Sequence, residues 1–186
     1  METQFDTATK TKWTLDPVHS ELSFKVKHLM ITTVTGYFRN FSVEVITEGE
    51  GFSKPGSVKA VAETASIDTH SDQRDSHLRS DDFFNAEKYG QIIFESTKYE
   101  KGKTEDKLYG NLTIRDKTLP VVLNIEPAGI VKDPYGQTKA GFIVNGKLNR
   151  KDFGLMWNAL TEAGGVVVAD EIKIHAEIQL IKVNGE

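Results

Sequence analysis

The residues best suited to chemistry crowd into one short stretch near the middle of the chain, Gln73-Arg74-Asp75-Ser76-His77-Leu78-Arg79-Ser80-Asp81-Asp82-Phe83-Phe84-Asn85. Arginine offers a planar fork for phosphate or carboxylate, and histidine exchanges a proton near neutral pH. On a helix, Arg74 and His77 share one side, and Asp75 and Arg79 are spaced i,i+4 for an ion pair. Two uses follow from this geometry. The stretch could hold an anionic head group or an acid–base pair, or its charges could fasten a loop to the body of the fold. Covalent and metal chemistry find less support. Ser76 beside His77 cannot form a triad hydrogen bond by adjacency, and no Gly-x-Ser-x-Gly elbow or phosphate-cradling glycine loop occurs. His19, His28, His70, His77 and His175 show no metal-binding spacing and cysteine is absent, so no metal site is predicted.

The elements that must position this stretch are strands. Leu22, Phe24, Val26 and His28 alternate with Ser23, Lys25 and Lys27, the period of a strand with one dry face. The same alternation recurs through Leu108, Gly110, Leu112 and Ile114, and through Ile172, Ile174, Ala176, Ile178 and Leu180. Residues 37–47, 58–67, 91–99, 119–131 and 139–148 are also strand-like, separated by turn material such as Lys54-Pro55-Gly56 and Asp133-Pro134-Tyr135-Gly136. Eight strands with short turns suit an antiparallel meander that closes into a barrel or folds into a sandwich. Two segments read as helices, Ser71 to Ser80 and Leu155 to Ala163. Asp16, His19 and Ser20 read as a turn-stabilising group ahead of the first long strand, and His28 as a partly buried, satisfied histidine.

A length of 186 residues suits one domain, and a net charge of −4 with interleaved lysine and arginine argues against a nucleic-acid partner. Met1 to Lys12 is polar and reads as a flexible segment ahead of a domain over residues 13–186. It lacks the apolar core of a signal peptide, and no apolar run reaches membrane-spanning length. The expected location is cytoplasmic as the sequence stands, or periplasmic if a leader has been removed.

The motifs Trp13-Thr14-Leu15-Asp16-Pro17-Val18-His19-Ser20, Phe24-Lys25-Val26-Lys27-His28, Gly36-Tyr37-Phe38, Ser66-Ile67-Asp68-Thr69, Arg74-Asp75-Ser76-His77-Leu78, Asp82-Phe83-Phe84, Gly110-Asn111-Leu112-Thr113-Ile114-Arg115 and Arg150-Lys151-Asp152-Phe153-Gly154 follow in that order. In order and spacing they resemble the YceI-like polyisoprenoid-binding family, from about Trp13 to Val183. Asp116 stands where that family usually has glycine, and Gly90 where a proline is common; both fall in turns. The resemblance implies an all-β, antiparallel, eight-stranded lipocalin-like barrel with one or two short helices. It also implies a long polyprenyl chain in the interior and allows a homodimer.

On that fold the dry faces supply a lumen of Phe24, Val26, Phe38, Phe41, Phe94, Leu112, Ile114, Leu123, Phe142 and Trp157, with Phe83 and Phe84 entering from the central stretch. Arg74, His77 and Arg150 are the candidates for a head group. The expected function is non-enzymatic binding, transport or storage of a long-chain isoprenoid lipid, a polyprenyl phosphate or an isoprenoid quinone, with no cofactor. Two alternatives stand beside it. One is an enzyme acting on a small amphiphile with His77, Arg74 and Asp75 in its site; the other is a stress-related structural protein whose lumen is filled by its own side chains.

Overall fold

The structure, a computed structural model, describes residues 9–53 and 55–184. Its strands are β1 (Lys10–Leu15), β2 (Glu21–His28), β3 (Thr32–Phe38), β4 (Phe41–Glu48), β5 (Pro55–Glu63), β6 (Ile67–Asp68), β7 (Gln91–Glu100), β8 (Asp106–Ile114), β9 (Lys117–Lys132), β10 (Thr138–Asn149) and β11 (Val168–Lys182). The first six are halves of longer paths. A 3-10 turn at Pro17–His19 interrupts β1 and β2, and another at Thr64–Ser66 interrupts β5 and β6. β3 passes into β4 across Arg39 and Asn40. Counted as paths, eight antiparallel strands run in meander order, and the last returns to the first. β11 pairs with β2 from Val168↔His28 to Glu177↔Glu21, and with β1 from Leu180↔Leu15 to Lys182↔Trp13. Closure leaves the barrel without a free sheet edge along this seam.

Barrel or sandwich was open from alternation alone, and this pairing decides for the barrel. Its two ends differ. The base carries the β4–β5, β7–β8 and β9–β10 loops; the cap end carries the β2–β3 hairpin, the 69–90 segment, the β8–β9 turn and the 150–167 loop. The cap contains the one α-helix among the described residues, α1 (Asp72–Arg79), which begins where Ser71 accepts a hydrogen bond from the Arg74 amide.

Two sequence expectations are corrected. Leu155–Ala163 is not helical; it is irregular chain with an isolated bridge between Leu160 and Val166 and a turn at Gly164, where φ is +80°. The Leu155 and Trp157 carbonyls, which a helix would pair internally, accept from Arg150 instead, and the Asn158 side chain bonds the Val168 amide and carbonyl. So short a helix also has little stability of its own. Within the segment expected to be flexible, Lys10–Lys12 instead belong to β1 and pair with β4 at Glu48, Thr47 and Ile46. The rest of that expectation, residues 1–8, lies outside the described residues.

Candidate functional site

The inward faces of the strands enclose a cavity of about 290 Å³. An apolar cavity of roughly 150 Å³ already accommodates benzene, so this space exceeds what packing faults leave in a filled core. Its lining is apolar apart from Ser23, Tyr99 and Arg150. Phe24, Val26, Leu123 and Phe142 point inward yet remain partly accessible, because they face the void and not a neighbouring side chain. Of the residues assigned to the lumen from the sequence, Phe24, Val26, Phe38, Phe41, Phe83, Phe84, Phe94, Leu112, Ile114, Leu123 and Phe142 line it. Trp157 does not. It stands beside the cap, its ring 5.4 Å from Phe83 and 4.8 Å from His77.

Sequence reasoning missed Ile172, Ile174 and Ile178, although their alternation had put them on a dry face; only the pairing of β11 shows that this face is the lumen. It also missed Phe52, which lies in the β4–β5 loop with no periodicity to signal it. Phe52 closes the base by packing on Trp13 at 4.6 Å and Phe142 at 4.8 Å. Toward the cap a second aromatic series runs from Phe24 to Phe38 (5.7 Å) to Phe84 (5.8 Å). Phe24 lies over Gly36, its cross-strand partner, where a Cβ would come within 2.3 Å of the ring. Glycine at this position leaves room for the aromatic face.

The charged residues of the central stretch fasten the cap. Asp75 is buried and accepts from the Thr69 amide at 2.8 Å and the Thr69 hydroxyl at 2.5 Å. Arg74 donates through Nε to Thr69 Oγ1 and through Nη2 to the Thr69 carbonyl, both at 2.7 Å. The i,i+4 pair of Asp75 with Arg79 does not form, because Asp75 turns inward to Thr69. His77 meets Asp82 at 2.8 Å and sets its ring edge-on to Phe83 and Trp157. From the β8–β9 turn, Arg115 donates to the carbonyls of Asp81 and Phe83 and pairs with the Asp81 carboxylate at 3.1 Å. Phe83 and Phe84 are thereby held over the lumen from both sides of the cap.

Arg150 alone of the head-group candidates lines the cavity, and it is 2% exposed. Its Nε donates to Ala169, its Nη1 to Leu155 and Trp157, and its Nη2 to Val168, all backbone carbonyls, while Asp170 lies 3.5 Å from Nη2. Burial draws its pKa down and the Asp170 charge opposes that shift. The guanidinium is committed to carbonyls of the 150–167 loop and of the first residues of β11. Arg74 and His77 lie outside the cavity lining, so the three residues do not converge on one point.

The family model for the YceI-like domain matches residues 13–180. The chain belongs to the YceI-like domain family. A UPF0312 protein of Staphylococcus epidermidis is 38% identical over 172 residues, 91% of this chain and 96% of that protein. Among solved structures, Campylobacter jejuni YCEI protein is 32% identical with a TM-score of 0.73, covering 91% of this chain and 97% of its own. Burkholderia cenocepacia BcnA has a TM-score of 0.76 at 22% identity, covering 89% and 98%. A polyisoprenoid binding domain from Saccharophagus degradans has a TM-score of 0.62 at 14% identity, covering 91% and 97%. The last two show likeness of fold.

In this YceI-like barrel the two turn departures are accommodated locally. The Arg115-Asp116 turn places Arg115 at a φ of +55°, which aims its side chain at the cap, and the Gly90 carbonyl accepts from the Thr64 amide at 3.0 Å. The expected turn-stabilising group is also present. Asp16 accepts from the Val18 amide, His19 Nδ1, Gln179 Nε2 and Lys139 Nζ at 2.8 to 3.2 Å, tying the β1–β2 bend to β10 and β11. Burial alone would raise its pKa, but the hydrogen bonds from His19, Gln179 and Lys139, with the charge of His19, outweigh it and hold the carboxyl far below the usual carboxylate range.

Proposed function

We propose that the protein is a non-enzymatic carrier or store for a long-chain polyisoprenoid, a polyprenyl phosphate or an isoprenoid quinone, whose tail occupies the lumen. The observation that carries this reading is the apolar cavity inside a closed barrel, whose one charged lining group is committed to backbone carbonyls. An isoprenoid tail needs only such surface. Each CH₂ removed from water contributes about 0.8 kcal/mol, so a long chain binds tightly without a polar contact. Along β11, Val168 to Leu180 covers roughly 40 Å at about 3.3 Å per residue, or roughly 30 Å of barrel axis at the usual tilt, which suits an elongated ligand. The head group remains outside at the cap, where Arg74 and His77 are the groups available to it. The description of the Saccharophagus degradans domain as polyisoprenoid binding points the same way.

The cavity weighs against a lumen filled by its own side chains. The position of His77, outside the lining and paired with Asp82, weighs against an enzyme working from the lumen. Native mass spectrometry with organic extraction of the purified protein tests the carrier reading. Wild type and His77→Gln are both expected to yield a long-chain lipid, or to bind an added polyprenyl ligand. Protein that is repeatedly empty and ignores that ligand overturns it.

A further inference from the structure

The β2–β3 hairpin breaks two preferences of its own turn. The Ile31 amide donates to the His28 carbonyl, and the two central residues, Leu29 and Met30, have φ of +51° and +58°. Positive φ at both positions is the arrangement that Asn-Gly ordinarily fills, because β-carbons and larger side chains strain it. Here large apolar side chains occupy it and face solvent, Leu29 being 38% and Met30 62% exposed, with Ile31 beside them 77% exposed. The patch extends onto the neighbouring loop. The Leu29 amide donates to the Val167 carbonyl, and next to it Val166 bridges to Leu160, which is 75% exposed.

Behind this apolar tip the outer wall is basic. Lys25, Lys173 and Lys147 lie directly opposite one another across β2, β11 and β10, and Lys27 stands two residues before Leu29. All four are exposed. Like charges in direct register destabilise a sheet. Among the described residues Lys25, Lys27 and Lys173 have no carboxylate within ion-pair distance, and Lys147 reaches Glu171 only at 4.0 Å. Strain, exposure and unneutralised charge therefore coincide at one corner of the cap.

We propose that this corner docks on a bilayer surface bearing anionic headgroups, with Leu29, Met30 and Ile31 seated among the acyl chains and the lysines against the headgroups. An apolar tip with a basic rim is the pattern by which protein surfaces bind such membranes. The inference rests on the carrier reading for its purpose, since it brings the cap and the lumen behind it to the phase in which an isoprenoid resides.

Co-sedimentation tests it with vesicles of phosphatidylcholine alone and of phosphatidylcholine with phosphatidylglycerol, free of any isoprenoid. Wild type is expected to pellet with the anionic vesicles and to be released by salt. The double variant Leu29→Asn, Met30→Gly should bind them at least roughly tenfold more weakly, with a Tm equal to or above wild type because the turn is relieved. Lys25→Glu with Lys173→Glu should weaken binding by a similar factor and remove its salt dependence. The proposal is overturned if wild type stays in the supernatant, or if the turn variant pellets like wild type. It is equally overturned if that variant lowers the protein's sedimenting mass without vesicles, which would make the patch a contact between copies. Loading of a polyprenyl ligand from detergent micelles separates the two ideas. Loading without vesicle binding sinks only the docking, and vesicle binding without loading sinks only the carrier.

Discussion

Arg150 and Asp16 show how burial decides the role of a charge. A guanidinium facing an apolar lumen invites a phosphate, yet Arg150 holds four backbone carbonyls, those of Leu155 and Trp157 in the 150–167 loop and of Val168 and Ala169 at the start of β11. Replacing it by Met leaves the Leu155, Trp157 and Ala169 carbonyls without this donor, while the Val168 carbonyl keeps Asn158. The loss should cost about 3–5 kcal/mol. In a thermal melt that is a fall of roughly 6–20 °C for a chain of this size, and limited proteolysis should cut first within 155–167. Arg150→Lys should recover little, since an ammonium cannot span the same acceptors. Asp16 has a pH signature. Its pKa is lower folded than unfolded, so its stabilisation is fully present above the unfolded carboxylate pKa of about 3.9 and is lost as pH falls through the folded value. Asp16→Asn should melt below wild type at neutral pH, with the gap narrowing only at pH well under 4; a gap constant down to the acid limit would contradict this.

At the scale of elements, neighbouring strands fit through glycines placed against rings. At Gly36 the three atoms nearest an added Cβ are all side-chain atoms, two of the Phe24 ring at 2.3 and 2.6 Å and Thr69 Cγ2 at 2.9 Å, and Phe24 has the void to move into. A Cβ at Gly110 would meet the Phe94 ring at 2.4 Å and also the Glu95 carbonyl oxygen at 2.6 Å, which cannot turn aside. In urea unfolding, Gly36→Ala should therefore cost about 1 kcal/mol and Gly110→Ala about 3 kcal/mol. The first should also reduce lipid binding, by pressing Phe24 into the lumen. Equal costs would mean that the Phe24 ring is not free to shift. The cap is an element of another kind. Its helix is too short and too polar to stand alone, and it is held by Thr69 from the end of β6 and by Arg115 from the β8–β9 turn.

For the whole molecule the question is whether the barrel interior is filled by its own side chains, and the cavity shows that it is not. Val144 lines its wall on β10. Val144→Phe places a ring in existing space, so the expected change in stability is within about 1 kcal/mol, while co-purified lipid should fall sharply. Ligand linkage offers a second readout. A ligand at about a hundred times its Kd adds about 2.7 kcal/mol to the folded state of wild type and should add much less to this variant. A variant that retains lipid and the same Tm shift would place the ligand elsewhere.

Alternation alone marks the strands, their dry faces and most of the residues that line the lumen, because a period of two is a local property of each segment. Phe24, Phe94, Leu112 and Phe142 were legible for that reason, whereas for Arg74 and Asp75 fastening was one of two uses that the sequence left open. What remained hidden depends on residues far apart in the chain. Val168↔His28 and Lys182↔Trp13 close the barrel across most of the chain, and no local pattern distinguishes that closure from a sandwich. Arg150 was legible as a cation but not as one already engaged, and 155–163 was legible as helix-forming but not as chain whose carbonyls Arg150 claims and which Asn158 ties to Val168. The cavity of the lumen and the exposed apolar hairpin likewise arise only once the strands have paired. Side-chain volume is summed, and charges find partners, only once the strands have met.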